Sequence, residues 1–195
     1  MGGEHDHLDR YPDLANWWRD AEQLWDDNRS SDRLSLIEQL NFRKKLTDQL
    51  PGAPLRVVYA KAGMYVTAAL VDDSNVVIDH SLYWAAVATR QEAMFLLALL
   101  NAPHLTDVVR PLMAYGKDER HIDKAVWDLP IPDFDPADTK HSRIAEIGEA
   151  ECQRIAELNF EDGKSYIQIR RTLRDFLLSS PDAEELDQLV TELLG

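Results

Sequence analysis

The sequence has a single cysteine, Cys152, so no disulfide can form within the chain. A fold held by disulfide staples is excluded, and a reducing, cytoplasmic setting is expected. Long apolar runs are missing too. The longest, Ala93 to Leu100, has eight residues, where a bilayer-spanning helix needs about 20. The first ten residues, MGGEHDHLDR, lack the apolar stretch of a secretory signal. No glycine-rich loop follows a strand-like segment, which excludes dinucleotide and P-loop signatures. No serine stands in a G-x-S-x-G context. His5, His7, His80, His104, His121 and His141 are scattered and have no cysteine near them, so metal-site spacing is absent. The acids Asp133 and Asp138 with Lys140 could in principle hold a metal and a water. They lie in a proline-rich loop rather than on adjacent strands, and helix capping by Asp138 is the better reading.

What is present is the composition of a globular protein, 45% hydrophobic and 29% charged. Five Trp and six Tyr argue against disorder. Acidic charge dominates, with a net of −14, but unevenly. Residues 1–40 carry ten Asp/Glu against four Lys/Arg, residues 41–127 nine against ten, and residues 128–195 sixteen against seven. Only the middle of the chain is not repelled by a polyanion. Acidic ends also serve solubility alone.

The patterning predicts an α+β fold: a small, mostly antiparallel sheet packed with buried helices, flanked by N-terminal and C-terminal helical segments. Three parts are expected, over residues 1–50, 51–136 and 137–195. In the first, Leu14, Trp17, Trp18, Ala21, Leu24 and Trp25 recur at helical spacing over residues 13–28, a large apolar face that needs a partner surface. A second helix, over about 32–50, would turn Leu34, Ile37, Leu40 and Leu46 inward. Its outer face would carry Arg43, Lys44 and Lys45, either as a solvated face or as a phosphate contact. Pro51, Gly52 and Pro54 then end the helical region.

In the middle part, Leu55–Tyr59 and Met64–Val71 read as a hairpin joined at Lys61-Ala62-Gly63. Val76–Asp79 and Ser81–Val87 read as further strands. Thr89 and Glu92 resemble a capping box opening a helix that is apolar on all sides through Leu100. A shorter helix from His104 to Ala114 would bury Leu105, Val108, Val109 and Leu112. The polar loop Tyr115–Lys124 follows, then an edge strand Ala125–Leu129 closed by Pro130 and Pro132. The last part reads as three helices over about 138–159, 164–179 and 181–194. Their inward positions are Ile144, Ile147, Ile155 and Ala156; Tyr166, Ile169, Leu173 and Phe176; and Leu186, Leu189, Val190 and Leu193.

The polar loop is the candidate contact surface. Tyr115, Lys117, Arg120, His121 and Lys124 can donate to a phosphate or a base edge. Arg120 or Lys117 could reach guanine acceptors in a major groove, and Tyr115 could stack on a displaced base. Lys61, Arg43, Lys44 and Lys45 are candidate phosphate contacts. The bland alternative is a solvated connection.

Several segments together resemble the C-terminal region of bacterial adenine-specific DNA methyltransferases of restriction–modification type, including methylase–endonuclease fusions. They are LIEQLNFRKKLTDQL (36–50), RVVYAKAG (56–63), VVIDHSLYWAAV (76–87), EAMFLLALLNAP (92–103), VVRPLMAYGKDERHIDKAVWDLPIPDFDP (108–136) and HSRIAEIGEAE (141–151). The resemblance covers about residues 22–158, and the HIDKAVWDLPIPDFDP run is its most specific part. It implies a target-recognition domain placed after a methyltransferase domain, with double-stranded DNA as partner. Gly116, Arg120, His121 and Lys124 fit the family's loop, whereas Ala114-Tyr115 and Lys117-Asp118-Glu119 depart from it. None of Asn16, Asn28, Asn41, Asn75, Asn101 or Asn159 begins an Asn-Pro-Pro-aromatic motif. The resemblance therefore implies no catalysis by this segment and no cofactor in it. S-adenosylmethionine is expected in an upstream domain or a partner subunit. The alternative is a protein–protein interaction module that docks on the methyltransferase, through its tryptophan-rich first helix and acidic last helices, without touching DNA.

Overall fold

A computed structural model describes residues 8–115, 120–122, 124–160 and 163–195, without the side chains of Ala114, Tyr115 and Arg120. The chain separates into two units, Met1–Pro51 and Gly52–Gly195.

In the first unit, α1 spans Pro12–Asn28, with Pro12 opening it, and α2 spans only Leu36–Leu40. Ser35 and Glu38 form a complete capping box at the start of α2. The Trp25 Nε1–H donates to the Leu34 carbonyl over 3.1 Å and ties α1 to the approach of α2. Trp18 and Trp25 are half-buried, but Trp17 is 62% exposed, as are much of Tyr11, Leu14 and Leu24. The tryptophan face is thus only partly covered.

The expected helix over 32–50 does not form. After α2 come two single 3₁₀ turns, Phe42–Lys44 and Thr47–Gln49. The Asn41 side chain breaks the ladder: its Oδ1 accepts from the N–H groups of Leu46 (3.2 Å) and Thr47 (3.1 Å) and from the Thr47 hydroxyl. Arg43 and Lys44 take the left-handed conformation, with φ of 56° and 61°, which L-residues adopt at a cost. Ile37 and Leu40, expected inward, are exposed.

The second unit is α+β. Strands β1 (Arg56–Ala60), β2 (Ala68–Val71) and β3 (Leu82–Ala86) make an antiparallel sheet in the order β2-β1-β3. β1 is central, pairing Val57 with Leu70 on one side and with Ala85 on the other. Its burial is nearly continuous, as expected of a central strand. The expected strand Val76–Asp79 is not one. Both edges of β1 are already taken, only Ile78 of that segment is buried, and Asp79 turns the chain by accepting from the Ser81 N–H.

Across the sheet lies α3 (Arg90–Asn101), buried from Ala93 through Leu100. The Thr89 hydroxyl accepts from the Glu92 N–H, and the Glu92 carboxylate reaches back to the Ala88 N–H rather than to Thr89. α4 (Pro103–Val109) ends in a 3₁₀ turn, Arg110–Leu112, that leaves Leu112 exposed, against expectation. Pro111 cannot extend an α-helix from within, so the last turn tightens. A two-stranded ribbon follows, β4 (Ala114–Tyr115) against β5 (Arg120–His121). Residues 124–128 form successive turns, not the expected edge strand. The Trp127 N–H donates to the Lys124 carbonyl and the Leu129 N–H to that of Val126.

Three helices close the chain: α5 (Thr139–Ala156), α6 (Tyr166–Leu178) and α7 (Ala183–Leu194). α5 packs along α3. Asp138 caps α5, its carboxylate accepting from the Lys140 and His141 N–H groups. Those two bonds, His141 first, hold its carboxyl below the usual range. The reading of Asp138 as a cap therefore holds. Ile144 and Ile147 are buried as expected, while Tyr166 and Ala156 are exposed. No described helix is long and apolar enough to cross a membrane.

Candidate nucleic-acid interface

The candidate site is built on one residue of the sheet. Lys61 follows β1, and both of its backbone groups are used. Its N–H donates to the Ser81 carbonyl over 3.0 Å, and its carbonyl accepts from the Ile122 N–H over 2.8 Å. The next residue, Ala62, forms a bridge with His121. The turn after β1 is thereby stitched to the descending arm of the polar loop. Ile122 is fully buried beside these bonds and anchors that arm in the core.

An aromatic stack supports the same corner. Tyr59 lies 5.6 Å from Tyr83 across the β1–β3 pairing, and the Trp127 ring meets Tyr59 edge-on at 5.2 Å. The Lys61 ammonium sits 4.8 Å above the Tyr83 ring, a cation–π contact that fixes where its charge stands. Sequence reasoning missed Tyr83 and Trp127 as supports. The alternation along β3 puts Tyr83 on a face, but only the register shows that Lys61 lies over it.

Of the sequence-derived candidates, the structure brings Lys61, His121 and Lys124 to this corner. His121 is half-buried and Lys124 exposed. Arg120 and Tyr115 are backbone partners in the β4–β5 ribbon, while Lys117 and Gly116 lie outside the described residues. Arg43, Lys44 and Lys45 belong to the other unit, Met1–Pro51, where all three are exposed and Arg43 stacks on Phe42 at 5.3 Å. They are displayed by a left-handed turn and not, as expected, along a helix face.

Part of the acidic tail is internally paired. Arg143 grips Glu185 with two bonds of 2.8 and 2.6 Å, Lys140 meets Glu192 at 2.7 Å, and Arg154 bridges Glu151 and Asp182 at 2.8 Å each. These pairs tie α5 to α7, and the excess of sixteen acids over seven bases in residues 128–195 remains. His141 is structural: its Nδ1 accepts from the Asp135 N–H, and the ring packs 4.8 Å from Phe95. Among the described residues no three His, Cys, Asp or Glu side chains gather as a metal site would require.

No family model matches the chain, and neither a curated protein nor a solved structure is significantly similar to it.

Proposed function

We propose that the chain is the DNA target-recognition part of an adenine-specific methyltransferase of restriction–modification type. In this reading it works in the cytoplasm beside a methyltransferase domain or subunit that carries S-adenosylmethionine, and it has no catalytic role of its own. The observation that carries the reading is the stitching of Lys61-Ala62 to His121-Ile122. It joins the backbone that carries Lys61 to the stretch that leads into Lys124, two separate parts of the resembling region. A corner of that kind can neutralise phosphates through Lys61 and Lys124.

The test is binding of double-stranded DNA by the chain at about 50 mM salt, where phosphate contacts are strong. The comparison is with a variant carrying Lys61→Ala and Lys124→Ala. Binding that weakens in the variant supports the reading; absence of binding by the unaltered chain at that salt rejects it.

A second reading, docking on a methyltransferase or another subunit without DNA contact, is favoured by a different observation. Tyr11, Leu14, Trp17 and Leu24 of the first unit stay exposed, an uncovered apolar area of the kind partners cover. Retained association with a methyltransferase partner, together with no DNA binding, would support it.

A further inference from the structure

Between the sheet and the C-terminal helices lies a cavity of about 520 Å³, within the size range of small-molecule sites. Its walls are mainly apolar: Leu70 of β2, Leu97 and Ala98 of α3, Ile155 of α5, and Leu173 and Leu177 of α6. The roof is α6, which buries none of its own residues; Leu173 and Leu177 are only half-covered over the void. A helix with a strong apolar face normally packs it down, so α6 stands above a space it does not fill.

Five charged side chains line this space, Asp107, Arg110, Glu151, Arg170 and Arg174, and of these Glu151 alone is buried. Glu151 is 7% exposed, and its Oε2 is buried with no hydrogen-bond partner. Its Oε1 accepts from Arg154, which also holds Asp182. Ser180 lines the cavity near that cluster in sequence, and its hydroxyl is likewise buried without a partner. A buried carboxylate oxygen without a donor is costly. The chain offers Glu151 no second donor here, and a ligand can. Sequence spacing carried the signal: Ile144, Ile147, Gly148, Glu151 and Ile155 form one helical stripe with an acid in its middle.

We propose that this cavity binds a small apolar molecule bearing one hydrogen-bond donor, a hydroxyl or an ammonium, whose apolar body fills the space beneath α6 and whose donor meets Glu151 Oε2. Anionic heads are disfavoured at that end, where one arginine already serves two carboxylates. The other arginines on the walls are engaged: Arg110 with Asp107 at 3.1 Å, although its Nε is unpaired, Arg170 with the Thr67 hydroxyl, and Arg174 against the Tyr65 ring. The inference is independent of DNA binding.

Cys152 lines the same cavity, so its alkylation by N-ethylmaleimide reports occupancy in the whole chain. The probes are 1-octanol, octylamine, octane and octanoate, followed by mass spectrometry of the labelled thiol. Protection by octanol or octylamine is expected at concentrations about tenfold below those needed for octane or octanoate, the factor that a charge-assisted hydrogen bond supplies. The more protective of the two identifies the donor as hydroxyl or ammonium. Lengthening hexanol to octanol should tighten binding about fifteenfold, roughly fourfold per methylene. Glu151→Gln should weaken octanol binding about tenfold. Leu173→Trp, which fills the space from the α6 side, should abolish it and keeps the test open if Glu151→Gln does not fold. Protection by octanoate equal to that by octanol, protection unchanged in Leu173→Trp, or no protection by any probe would overturn the proposal.

Discussion

The Ile122 N–H donates to the Lys61 carbonyl over 2.8 Å, and this bond joins two residues 61 positions apart in the chain into one corner. If that corner meets DNA, Lys61→Ala should flatten the salt dependence of binding. The slope of log affinity against log salt falls by about 0.9 for each phosphate of B-form DNA that is no longer neutralised. Backbone pairing at Ile122 does not involve the Lys61 side chain, so the fold should persist, short only of the exposed-site cation–π contribution of about 0.5–1 kcal/mol. A salt titration of Kd for both proteins checks this. An unchanged slope would mean that Lys61 touches no phosphate.

Gly148 of α5 sits directly against the backbone carbonyl of Met94 in α3. A methyl group built there would collide with that oxygen and press on the Ala98 side chain. Gly148→Ala therefore forces α3 and α5 apart. Overpacking costs about 1–3 kcal/mol and outweighs the helix-propensity gain of about 1 kcal/mol at the upper end. A lowered Tm for Gly148→Ala is the expected result; a raised Tm would mean that the α3–α5 contact yields easily.

The parts of this fold that could be read in the sequence are those whose periodicity and burial agree. The run Ala93–Leu100 is buried throughout, as its unbroken apolar character demands. Asp138 caps α5 as its position before the helical pattern suggests. Misreadings arose where a local interaction overrode periodicity. The Asn41 side chain diverted the backbone after Leu40, and Val76–Asp79 had strand composition but leaves Val76 and Val77 exposed and turns at Asp79. At the site, Lys61 and His121 were legible as polar residues beside turns. Their adjacency was not, because it depends on a pairing across sixty residues that no local pattern encodes. Glu151 was not singled out, because an acid within an apolar stripe gains its consequence only from the space beneath α6.

Asn41 gives a test confined to the first unit. Its side chain holds the Leu46 and Thr47 amides and so closes the turn that displays Arg43, Lys44 and Lys45. Asn41→Ala removes those acceptors, a loss comparable to deleting a helix cap, about 0.5–2 kcal/mol. Faster hydrogen exchange at the Leu46 and Thr47 amides is expected, with amides of β1 unaffected. Unchanged exchange at both would show that the turn is held by its backbone alone.

Acid should loosen α7 first. The Arg143 guanidinium, bonded twice to Glu185, holds that carboxyl below its ordinary value of 4.5, and the Lys140 ammonium does the same to Glu192. For both groups the unfolded chain takes up its proton at a higher pH than the folded chain. The stability they contribute is therefore complete above about pH 4.5 and is lost as pH falls through the lower folded values. Both carboxyls are solvent-facing, so added salt should shrink the effect. Far-UV circular dichroism followed from neutral pH into acid should show helix loss beginning below about pH 4.5. Arg143→Ala should reduce helical stability at neutral pH and flatten its acid dependence, because Glu185 then titrates at nearly the same pH folded and unfolded. An acid profile identical in the variant would show that the Arg143–Glu185 pair does not hold α7 to α5.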